Sequence, residues 1–144
     1  MNMARLIYVS RMTEECDMEA MQDIMQASRQ KNADAEITGI LCYDPVFFLQ
    51  CLEGPKSAVN ALYHHILQDD RHRDVALLEY ADIAERTFAR WSMGFLKSSE
   101  LDRETVSAYT KGSKFDPYLL TGEQARDFLV TIAAQERKRL DIQA

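Results

Sequence analysis

Apolar residues along the chain switch between a strand-like and a helix-like period. "RLIYVS" (Arg5 to Ser10) is short, rich in β-formers and bounded by polar residues, which predicts a strand. From about Asp17 to Asn32, the residues Met18, Met21, Ile24, Met25 and Ser28 fall on one helical face. "ITGILCYD" and "VFFLQCLE" follow as two apolar runs joined by Asp44-Pro45, a connection short enough for an antiparallel hairpin. Both runs are apolar on successive residues, so both faces of the sheet are expected to be covered. After Gly54-Pro55, the positions Val59, Leu62, Tyr63, Ile66 and Leu67 keep the i, i+3, i+4, i+7, i+8 rule of a helix. "VALLEYADI" reads as a strand, "RTFARW" as a connection and "SMGFLK" as a last strand.

The order β-α-β-β-α-β-β predicts an α+β, ferredoxin-like sandwich with one extra strand. The segment from about Leu101 adds a T-x-x-Q capping box at Thr121 and Gln124. Behind it, Ala125, Phe128, Leu129, Ile132, Ala133 and Glu136 trace one face of a final helix. With two helices over one sheet face, this apolar stripe is expected to cap the opposite face.

Composition narrows the function classes. The chain has 144 residues, 47% of them hydrophobic, which suits one globular core. A balance of 17 basic against 23 acidic residues, net −6, argues against direct nucleic-acid binding and against an anionic membrane surface. Cys16, Cys42 and Cys51 are an odd number without a CxxC pair, so neither a disulfide framework nor a metal site is expected. The apolar run in "MNMARLIYVSR" is too short for a secretory signal, and no stretch approaches a membrane span of about 20 residues, so a cytoplasmic location is expected.

Few residues suggest chemistry on their own. Packing gives no reason for Gln50 in "VFFLQCLEG", because a buried primary amide with unmet donors or acceptors costs about 1–3 kcal/mol. Tyr8 shares a strand face with Leu6 and Ser10, as Gln50 does with Phe48 and Leu52; alone, Tyr8 reads as an ordinary amphipathic core residue, and Gln50 equally as a functional amide or as an edge position satisfied by backbone. Asn32 is explained as a helix terminator, and Arg29 and Lys31 as a solvated helix end. Asp69, Arg71 and His72 in "QDDRHRD" read as a polar turn with a cation near a helix C-terminus. Trp91 and Met93 are alternate residues and are expected to share a face of the last strand. No catalytic triad, phosphate loop or carboxylate pair stands out.

Taken together, "RLIYVSR", "SRQKNADAEITGILCYD", "FFLQCLEG", "ILQDDRH" and "RTFARWSMG" resemble the BLUF family of flavin-binding blue-light sensors. The resemblance covers roughly residues 4 to 97, which divides the chain into a flavin-binding domain over 1–97 and a helical cap over 98–144 like that of stand-alone members. It implies that FAD is bound non-covalently, that Tyr8 is the photoactive tyrosine and that Gln50 lies between Tyr8 and the flavin ring. It further implies that Asn32 meets the pyrimidine carbonyls and that Asp69, Arg71 and His72 line the polar edge of the ring. Met93 matches a methionine near the glutamine, and Trp91 a tryptophan that exchanges places with it as signal relay. Ile24 and Ile66, on core-facing stripes, are the candidate walls of the ring slot.

The implied activity is photochemical and not enzymatic. Electron and then proton transfer from Tyr8 by way of Gln50 would rearrange hydrogen bonds and give a red-shifted signalling state. With no room for a catalytic domain, the output is expected to be a homo-oligomer that signals to a separate protein. Two other readings are a flavin-free regulatory module working through protein contacts, and a small enzyme on the same topology, such as an acylphosphatase or a flavin oxidoreductase. The polar set Tyr8, Asn32, Gln50, Arg71 and His72 argues against the first, and the lack of a phosphate-cradling loop or second-substrate site against the second.

Overall fold

A computed structural model describes residues 2–112 and 114–143. The elements run β1 (Met3–Met12), α1 (Met18–Asp34), β2 (Thr38–Tyr43), β3 (Phe47–Pro55), α2 (Lys56–Leu67), β4 (His72–Ile83) and β5 (Gly94–Lys97). Three helices follow, α3 (Arg103–Tyr109), α4 (Gly122–Gln135) and α5 (Arg137–Gln143). The sheet order is β4-β1-β3-β2-β5, antiparallel throughout except for the parallel pair β2 and β5. This is the ferredoxin-like α+β arrangement with β5 added beside β2.

The sequence sets these boundaries locally. Asp17 caps α1 by accepting from the Ala20 N–H at 2.8 Å, and the reciprocal Thr121–Gln124 box opens α4. Asp44 Oδ1 accepts from the N–H groups of Val46 and Phe47, which closes the β2–β3 turn. Two buried clusters then lie on opposite sheet faces. One packs Leu6, Tyr8, Leu41, Phe48 and Leu52 against Met21, Val59 and Ile66 of α1 and α2. The other packs Ile7, Ile40, Leu49 and Leu96 against Phe128, Leu129 and Ile132 of α4 and Leu140 of α5. Each central strand is therefore apolar on both sides, as its sequence requires.

The structure departs from the sequence expectations at several points. α1 continues to Asp34, so Asn32 lies inside its last turn and is only 2% exposed; the left-handed residue beyond the helix is Glu36. Terminating a helix therefore does not explain Asn32. Met18 and Leu67, both placed on buried stripes by periodicity, are 82% and 48% exposed, as the first residue of α1 and the last of α2. Trp91 and Met93 precede β5 and do not share a face: Met93 joins the α1–α2 cluster and Trp91 the α4–α5 cluster. The bend at Ser92 breaks the period of two on which the expectation rested.

Two features went unread in the sequence. α5 carries one fully buried apolar residue, Leu140, and holds its place through polar contacts. Gln143 pairs its side-chain amide with the Phe95 backbone, donating to the carbonyl at 2.6 Å and accepting from the N–H at 2.8 Å, as a further strand would. Glu53 is a charged residue within an apolar strand and is fully buried. It accepts from the N–H groups of Thr87 and Phe88 and from Arg5, pinning the β4–β5 connection to the sheet. Among the described residues no helix is long and apolar enough to cross a membrane, and all three cysteines are free.

Removing the Glu53 carboxylate strands the Thr87 and Phe88 N–H groups in the interior and takes one of its two carboxylate partners from Arg5, which keeps Glu79. Glu53→Leu is therefore expected to lower unfolding stability by about 3–5 kcal/mol, read from urea denaturation. A change below about 1 kcal/mol would show that the latch is replaced by water.

Candidate functional site

One row of side chains across the sheet forms the floor of the site. Tyr8 and Gln50 are direct cross-strand partners on β1 and β3, Gln50 faces Leu41 on β2, and Leu41 faces Phe95 on β5. The Tyr8 hydroxyl donates to Gln50 Oε1 at 2.5 Å, and Gln50 Nε2 donates to Met93 Sδ at 3.3 Å. Gly39 makes room for Met93, since a Cβ there would overlap the Cys51 carbonyl and sit 3.3 Å from the Met93 methyl. Burial, chiefly, and the negative charge of Asp69 push the Tyr8 phenol well above its ordinary pKa, so it stays protonated and remains a donor.

The walls come from the helices and from the turn after α2. Ile24, Ser28, Lys31 and Asn32 of α1 and Leu62 and Ile66 of α2 line a cleft whose floor includes Tyr8 and Gln50. Asp69, Arg71 and His72 close one end. Asp69 binds Arg71 through several N–H···O contacts, the shortest 2.6 Å, and those bonds hold its carboxyl below the usual range. His72 is held at 2.8 Å from Ser10 Oγ and lies against Phe48, ring centroids 4.5 Å apart. Burial pushes its pKa down to about 4, with Arg71 lowering it further and Asp69 opposing, so the ring is neutral near pH 7. Asn32 Nδ2 donates to the Ser92 carbonyl at 3.3 Å, while its side-chain oxygen meets no donor among the described residues.

The structure thus gathers Tyr8, Ile24, Asn32, Gln50, Ile66, Asp69, Arg71 and His72 around one cleft, with Met93 below it in contact with Gln50. Trp91 lies outside the cleft, its indole N–H donating to Asp141 of α5. Lys31, read as a solvated helix end, is exposed and also lines the cleft. Ser10 was visible in sequence as a residue on the Tyr8 face, but nothing there disclosed its bond to His72.

The chemistry of the cleft suits a flat aromatic ligand with one polar edge. α1 buries only Met21 and Asn32 of its 17 residues and packs on the sheet more sparsely than α2, as a helix would that shares its inner face with a ligand. The apolar walls of the cleft carry polar groups, the Asn32 amide in the last turn of α1 and the Asp69–Arg71 pair after α2, a mix that suits an aromatic ligand with donors and acceptors on its rim, as a flavin ring has. The open space between the helices and the sheet is about 90 Å³. Among the described residues no group of three or more acidic, histidine or cysteine side chains is arranged to hold a metal.

His72 also makes stability depend on pH. Unfolded, it takes its proton near pH 6.5, but in the fold only near pH 4, so between these values the unfolded chain binds more protons. The stabilisation is complete above about pH 6.5 and is lost as pH falls toward 4, at about 1.4 kcal/mol per pH unit. Urea unfolding at pH 7 and pH 5 is expected to differ by about 2 kcal/mol, and His72→Gln to remove most of that difference.

Comparisons with known proteins agree with this geometry. The family profile described as "BLUF: Sensors of blue-light using FAD" matches residues 3–94. The photoactivated adenylate cyclase subunit beta of Euglena longa is 40% identical over 89 residues, which cover 61% of this chain and 10% of that one. This chain therefore matches about a tenth of the length of that relative. The structure described as "BlsA photo-activated state" superposes with a TM-score of 0.81 at 31% identity, covering 90% of this chain and 94% of the other. The dark-state structure of BlrB, described as a BLUF protein, gives a TM-score of 0.79 at 31% identity and covers 94% of this chain and 97% of its own. With the fold, the cleft and a match over most of the chain in agreement, this protein belongs to the BLUF family of blue-light flavin sensors.

Proposed function

We propose that the chain is a blue-light photoreceptor that holds FAD non-covalently in the cleft between α1 and α2, with Tyr8 and Gln50 as its photoactive pair. The observation that carries this reading is the continuous bond from the Tyr8 hydroxyl through the Gln50 amide to the Met93 sulfur on the cleft floor. Asn32, Asp69, Arg71 and His72 would hold the polar edge of the ring, and Ile24 and Ile66 its faces. Bound flavin supplies blue-light absorption and an excited state that accepts an electron.

The rest follows from this chain's own groups. Tyr8 is the one tyrosine or tryptophan among the residues lining the cleft, and its buried phenol releases its proton only to a bonded acceptor, Gln50 Oε1. Gln50 can take that proton at one end and give one up at the other, or rotate its amide and exchange the ends. Either change alters what Met93 Sδ receives. The segment from Trp91 to Met93 is tied to α1 through Asn32 and Ser92, to β2 through the bond from the Gly39 N–H to the Trp91 carbonyl, and to α5 through Asp141. A new state at Gln50 therefore has a short mechanical route to α5, which favours signalling to a separate protein by population shift. Free thiols suit a reducing cytoplasm, and the exposed Leu77 and Tyr80 on edge strand β4 suit a homo-oligomer.

After reconstitution with FAD, a blue flash is expected to give a small reversible red shift of the flavin absorbance. Gln50→Leu is expected to keep the flavin and lose the shift, and Tyr8→Phe to lose it as well. A colourless protein, or a shift that survives Gln50→Leu, would sink the reading.

A further inference from the structure

At the opposite end of α1 from Asn32 lies a second, open groove of about 380 Å³. Met12, Met18, Met21, Tyr43 and Pro45 form its apolar lining, and Met18 is 82% exposed at the first turn of the helix. Three of the seven methionines therefore line the groove, Met18 exposed, Met12 half-buried and Met21 buried at its base. Unbranched thioether side chains re-pack around differently shaped apolar partners, so a concentration of them at a surface suits an adaptable docking site.

Charge specifies the occupant. Residues 12–28 contain Glu14, Glu15, Asp17, Glu19 and Asp23 and neither lysine nor arginine. Asp17 and Asp44 line the groove itself, where Lys97 is the one cation among the lining residues. Such a rim repels an anionic membrane, a nucleic acid or an acidic peptide, and attracts a cationic one. We propose that this groove docks an amphipathic helix of a partner protein, its apolar side on the methionines and its flanking Lys and Arg side chains on the acidic rim. The proposal rests on the reading that this chain signals to a separate protein, and it names the chemistry of that partner. The groove is joined to the light-sensing row: Lys97 ends β5, and Met21 belongs to the same buried cluster as Tyr8 and Met93.

The test uses the full flavin-bound chain in the dark and fluorescence anisotropy of three labelled peptides of about 18 residues, five helical turns. One is an amphipathic Leu/Lys helix, one its Leu/Glu counterpart, and one a Ser/Lys peptide of equal positive charge without an apolar face. The Leu/Lys helix is expected to bind about tenfold or more tightly than either control. Met18→Ser combined with Glu14→Lys and Glu15→Lys is expected to weaken it about fivefold or more. Glu104→Lys with Glu123→Lys, a like charge change at exposed positions on α3 and α4, is expected to leave it within about twofold. Equal binding of the three peptides, or equal loss in both variants, would overturn the docking site. A blue flash on the same samples separates the two failures: a retained red shift with no peptide discrimination rejects the groove alone, and an absent shift rejects the photoreceptor reading beneath it.

Discussion

The buried hydrogen-bonded chain Tyr8–Gln50–Met93 is the constraint on which the rest of the structure depends. A primary amide in the middle of a central strand is costly unless both of its ends are met, and here each end is met by a residue from a different strand or loop. Register follows from that need. β1 and β3 pair so that Tyr8 stands directly opposite Gln50, and Gly39 on β2 leaves the space that Met93 fills. A shift of one residue in either pairing would turn the phenol or the amide to the α4 face, among side chains that offer neither a partner.

The two sheet faces divide the labour. On the α4 face, apolar side chains interdigitate and fill the space. On the α1–α2 face, the helix that carries Asn32 buries little of itself, and polar groups from three elements converge on a cleft. The segment between β4 and β5 joins these environments, with Trp91 packed on one side and Met93 on the other, and Trp91 and Ser92 held by three hydrogen bonds. That placement makes it a short element in which a change at Gln50 and the position of α5 bear on each other.

Much of the fold was legible because periodicity alone decides it. The strands of the hairpin, the Val59–Ile66 stripe of α2 and the Thr121 capping box of α4 are local signals, and each stands where the sequence puts it. Gln50 was legible as an amide that packing could not explain. Asn32 was misassigned because helix ends are uncertain by a residue or two in sequence, and those residues separate a cap from a buried side chain. Trp91 and Met93 were misread because one bend at Ser92 reverses a face, and nothing local announces it. α5 and the Glu53 latch depend on partners 40 residues or so away in the chain, where sequence spacing carries no information.

In the proposed photocycle the Gln50 side-chain amide changes its hydrogen bonding when the protein is illuminated. Light-minus-dark infrared difference spectroscopy on the FAD-reconstituted protein, with the glutamine side-chain amides isotopically labelled, tests it most directly. An amide that changes partners gives a label-sensitive carbonyl band that shifts on illumination, returns in the dark and is missing from Gln50→Leu. A light-induced difference spectrum without a label-sensitive band, or one unchanged by Gln50→Leu, would contradict it.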